Sequence, residues 1–92
     1  MNNDIEKSRI DIARKINSTF DLAADVNPEM AIVLIRTIDA LGKVTGGNIE
    51  NMILWLHSFN HDLKAVPADL IDSNETIKDV LAYLRTVLDS YS

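Results

Sequence analysis

The sequence predicts an all-α protein, a single-domain antiparallel four-helix bundle over residues 1–92, from three observations. Four apolar patterns recur at i, i+3, i+4 and i+7 spacing, and residues that start or stop helices separate each from the next. The composition fits: 47% of residues are hydrophobic, 25% are charged, and there are only three Gly and two Pro. At 92 residues the chain is near the size at which one core barely suffices, so its packing must be efficient or a partner must help.

The first helix is expected over about residues 4–24, with Ile5, Ile12, Ile16, Phe20 and Ala23 on one face and Asp11 paired with Lys15 at i,i+4. The clearest boundary follows, where Asn27 suits an N-cap, Pro28 the first helical position and Glu29 the positive helix end. The second helix, over about residues 28–43, carries Ala31, Leu34, Ile35, Ile38 and Leu41, flanked by Met30, Val33 and Ala40. A stripe that broad puts it at the centre of the bundle.

Gly46 and Gly47 end that pattern, and Asn48 stands ready to cap a third helix over about residues 49–65, whose core face is Ile49, Met52, Ile53, Leu56, Phe59, Leu63 and then Val66. Residues 66–71 read as a turn or one helical turn at Pro67, with Leu70 and Ile71 plugging the bundle end. Asp72, with Glu75 three residues on, marks the start of a fourth helix over about residues 73–90, lined by Ile77, Val80, Leu81, Leu84, Leu88 and Tyr91.

Several function classes are excluded as expectations. The net charge of −5, with no stripe of Lys and Arg, opposes nucleic-acid binding. The most apolar run, residues 30–35, is far shorter than the roughly 20 residues that cross a bilayer, so no membrane insertion is expected. The polar N-terminus lacks the basic and apolar regions of a signal peptide, and no Cys is present, so the cytoplasm is the expected location.

No catalytic machinery and no cofactor are expected. His57 and His61 sit four apart on the expected third helix, a spacing by which two imidazoles hold a metal, but Ser58 stands where a zinc hydrolase has its Glu base, and a site needs a third ligand. No metal is therefore expected. The serines are scattered, with no base oriented by a third group. Asp69, Asp72 and Glu75 are explained as caps and first-turn acids. Gly46 and Gly47 lack the Lys and glycine spacing of a phosphate loop. The functional lead is Trp55, the sole tryptophan, at the edge of the third core stripe, with Tyr83 flanking the fourth, because exposed Trp and Tyr are enriched in binding hot spots.

Three stretches, residues 34–43, residues 48–56 and residues 66–70, together resemble the immunity proteins that protect lactic-acid bacteria from pediocin-type bacteriocins. The resemblance is one of layout across residues 16–91. It implies a cytoplasmic antiparallel four-helix bundle that recognises a bacteriocin-occupied membrane transporter complex from inside the cell. On this resemblance the third and fourth helices and the C-terminal end set specificity, and Trp55, Tyr83 and Tyr91 are the partner-binding candidates. The chain departs from many relatives in being acidic.

Two alternatives stand beside it. Residues 10–63 are similar to the helical core of phage small terminase subunits, DNA-packaging oligomers, although Gly46 and Gly47 would fall inside a helix that must be continuous. Oligomerisation of that kind would leave an apolar stripe over, at Ile10, Leu22 or Ile32. The other alternative is a phage or plasmid-encoded regulator that inhibits a host protein through an acidic helical face.

Overall fold

A computed structural model describes the backbone of residues 2–90 and the side chains of residues 4–90. It contains α1 (Asn2–Phe20), α2 (Pro28–Thr45), α3 (Ile49–Leu56), α4 (Pro67–Leu70) and α5 (Asn74–Ser90). Among the described residues there is no strand, only an isolated bridge between Asn60 and Ala65. The protein is all-α. None of its described helices is long and apolar enough to cross a membrane.

The central helix is α2, which packs against α1, α3 and most extensively α5. Its fully buried Met30, Ala31, Leu34 and Leu41 form the middle of a core completed by Ala13, Ile16 and Phe20 of α1, Met52 and Leu56 of α3, and Ile77, Val80 and Leu84 of α5. Ile71 is fully buried and Leu70 packs against the core. Thr37 is buried too, its hydroxyl donating to the Val33 carbonyl at 2.7 Å, so it leaves no polar atom unpaired.

The helix ends follow from single residues. The Asn27 side chain accepts from the Met30 N–H at 2.9 Å, with Pro28 opening α2, and Asn48 accepts from the Asn51 N–H at 3.0 Å to open α3. α2 closes at Gly46, whose φ of 80° is left-handed, while the Gly47 N–H reaches back to the Gly42 carbonyl. A helix continuous through Gly46 and Gly47 is therefore absent. α5 begins one residue later than the Asp72 pattern suggests, because Ser73 accepts from the Thr76 N–H.

The first helix stops at Phe20, not near residue 24. Asp21 takes a left-handed φ of 53° and the Leu22 N–H bonds back to the Asn17 carbonyl, a six-residue helix stop. The Asn17 side chain then clamps Ala24 through both its amide groups, at 2.9 and 3.2 Å, holding the chain in its turn away from the helix. Near the other end of α1, Ile5 and Ile12 are about half exposed, contrary to their expected place on the core face, because the core reaches α1 only from Ala13 onward. Asp11 pairs with Arg14 rather than Lys15, at 3.9 Å on an exposed surface.

The third helix departs most. It ends at Leu56, so the expected helix over residues 49–65 is corrected to eight residues plus a loop. Ser58, Phe59, Asn60, His61 and Asp62 are all poor helix formers, and Asn60 offers the backbone an alternative: its side chain accepts the N–H groups of Asp62 and Leu63, both at 3.0 Å. Asn60 and Ala65 then exchange backbone hydrogen bonds, and Lys64 adopts a left-handed φ of 56°. Pro67 adds to the break, since the residue before a proline is held extended, as Val66 is.

Glycine substitutions of opposite sign test this description. Gly42 lies inside α2, and a Cβ there would meet only the Met52 methyl at an ordinary 3.7 Å. Gly42→Ala is expected to stabilise by roughly 0.5–1 kcal/mol, whereas Gly46→Ala, forced into a left-handed backbone, is expected to destabilise by about 1–2 kcal/mol. Urea denaturation midpoints read both.

Candidate functional site

Trp55 projects from α3 and Tyr83 from α5, and their rings stack with centroids 6.4 Å apart and planes 20° from parallel. Both are half-buried. No Cα of α3 comes within 8 Å of one in α5, so this aromatic pair spans a gap that the backbones leave open. Trp55 also packs against the core, which holds one edge of the stack.

The loop after α3 fixes the other edge. The Tyr83 hydroxyl donates to Asp62 Oδ2 at 2.8 Å, a bond to a charged acceptor that ties α5 to the loop. The same loop carries Phe59, 57% exposed, with the His61 ring edge-on to it at 5.1 Å. Leu54, one residue before Trp55, is 67% exposed. Exposed aromatic and aliphatic side chains thus lie on the segment that also presents Trp55, and its conformation is pinned by the Asn60 side chain and the Asn60–Ala65 bridge.

Two of the three residues expected to bind a partner, Trp55 and Tyr83, are therefore in contact. Tyr91 lies outside the described residues. Asp62, Phe59 and Leu54 join them here, residues that the expected continuous third helix conceals, since it turns Phe59 inward and leaves Asp62 without a role. The signal for them is Asn60, whose side chain favours a turn over a helix interior.

The histidine pair does not form a ligand set. His57 follows the last residue of α3 and its Nε2 donates to the Phe20 carbonyl at 2.8 Å, tying the end of α1 to the end of α3. His61 is in the loop against Phe59. Among the described residues no group of three or more His, Asp or Glu is placed to hold a metal. Ile10, Leu22 and Ile32 are half-buried, and among the described residues the exposed large apolar ones are instead Ile5, Ile12, Ile49, Leu54 and Phe59.

Removing the hydroxyl that anchors the loop has an expected result. Tyr83→Phe keeps the stack but deletes the bond to Asp62, at a cost of about 1 kcal/mol, because the pair is exposed. Hydrogen exchange at the Asn60 and Ala65 amides should quicken several-fold while that of the α2 amides, at the centre of the core, changes little. Compared with known proteins, the chain matches no family model, no curated sequence and no solved structure.

Proposed function

We propose that the chain is a non-enzymatic protein-binding module whose contact surface is centred on the Trp55–Tyr83 stack and the loop over residues 57–65. The observation that carries this is the stack itself: a half-buried Trp and Tyr in ring contact, with Tyr83 tied through Asp62 to the loop that carries an exposed Phe59 and is closed by the Asn60–Ala65 bonds. Large rigid aromatics lose little entropy on binding, which is why hot spots favour them.

Within that reading, the role proposed is bacteriocin immunity exercised from the cytoplasm, against a transporter complex. The architecture is read as an antiparallel four-helix bundle with a shortened third helix. Support comes from the resemblance in layout and from the meeting of α3 and α5 at Trp55 and Tyr83, since the resemblance assigns specificity to the third and fourth bundle helices.

The experiment is expression in a bacteriocin-sensitive host, with growth measured across a panel of pediocin-type bacteriocins. Survival against one or a few is expected. Uniform killing, with the protein shown to be folded and abundant, would remove the immunity role.

A further inference from the structure

Between α2 and α5 runs a groove of about 290 Å³ with Arg36, Asp39 and Lys43 on the α2 side and Arg85 on the α5 side. Ala40, Leu81 and Leu88 supply its apolar lining. We propose that this groove binds an acidic peptide segment of a partner protein, its carboxylates held by Arg36 and Arg85 and an apolar side chain resting on Leu81 and Leu88.

Charge complementarity carries the assignment. The chain has a net charge of −5, yet the groove gathers three cations and one carboxylate and so is locally positive. The carboxylate is already answered, because Asp39 pairs with Lys43 at 3.1 Å. Neither Arg36 nor Arg85 has an ion-pair partner among the described residues, although the protein has 14 acidic side chains. The cations left over are arginines, one from each helix, and the planar guanidinium fork matches a carboxylate in a way a lysine does not. An apolar lining between them selects against a bare anion.

Size and field narrow the occupant further. A space of about 290 Å³ lies at the small end of ligand pockets and suits one large apolar side chain with flanking acids. An anionic bilayer would be repelled by the net charge of the whole chain, whereas a peptide segment meets only the local positive field. Arg85 follows Tyr83 by two residues, about 200° round α5, so the groove opens on a different side of that helix from the aromatic stack. Its occupancy does not depend on the Trp55 surface.

The test selects random peptides about a dozen residues long, displayed on phage, against the intact protein at low and high salt. Enrichment of sequences with Asp or Glu around Leu, Ile or Phe is expected. The winning peptide, synthesised and labelled, should lose at least roughly tenfold in affinity on Arg36→Gln and on Arg85→Gln, weaken with salt, and bind Trp55→Ala as it binds the parent protein. Both arginine side chains are exposed, so these variants keep the fold. Three outcomes overturn the proposal: no acidic enrichment; acidic binders indifferent to both substitutions; or, without peptide enrichment, phosphatidylserine vesicles or a second copy of the chain bound in a way that either substitution abolishes.

Discussion

Trp55→Ala is expected to weaken binding to the protein partner by at least about thirtyfold, the 2 kcal/mol that defines a hot spot. The indole supplies the largest face of the surface and holds Tyr83 in its stack, so truncation removes one contact and loosens a second. Because Trp55 is only half-buried, the stability cost should fall below the ~3–5 kcal/mol typical of a buried aromatic, leaving helical circular dichroism unchanged. Phe59→Ser is the companion variant. With 57% of Phe59 exposed, its stability effect should stay within about 0.5 kcal/mol, while binding should drop roughly tenfold if the loop contacts the partner. Calorimetry or growth protection, each paired with a melting curve, separates lost contact from lost fold.

Leu34→Ala is expected to be the most damaging to the fold. Leu34 is fully buried on α2, the helix that touches α1, α3 and α5. Such a truncation costs about 2–5 kcal/mol through lost transfer energy and the cavity left behind. A domain of this size holds roughly 5–14 kcal/mol in total, so the variant should lose a large share of its stability and melt at least ~10 °C lower. Leu54→Ala, at a site 67% exposed, should shift the urea midpoint hardly at all. Equal effects at the two positions would mean that α2 is not the centre of the core.

Particular residues show what the sequence made legible. Helix starts at Asn27 and Asn48 and the stop at Gly46 were readable because each is a local device whose chemistry lies within four residues. The breadth of the α2 stripe pointed to its central place for the same reason. The end of α1 was not readable: it depends on the Asn17 side chain reaching seven residues ahead to Ala24, and on Asp21 accepting a left-handed backbone. Phe59, Leu63 and Val66 continued the helical period past Leu56, and that period masked the competing turn chemistry of Asn60. Of the site, the aromatic pair was visible as residue types, but its stacking joins residues 28 positions apart, and the bond that ties Tyr83 to the loop reaches 21 positions back to Asp62, which no local pattern encodes. The exposure of Ile5 and Ile12 was equally hidden, since periodicity marks an apolar face without saying how far a neighbour extends along it.

The most direct measurement places a photo-reactive benzoylphenylalanine at Phe59 and, in a second protein, at Lys7, which is also exposed and about 20 Å along α1 from the Phe20 end that His57 holds against α3. Each is irradiated in the bacteriocin-sensitive host, with and without bacteriocin. A discrete cross-linked protein is expected from position 59, not from position 7, and it should vanish when Trp55→Ala is added. Equal cross-linking from both positions, or a position-59 adduct indifferent to Trp55→Ala, would contradict a docking surface at the Trp55–Tyr83 stack.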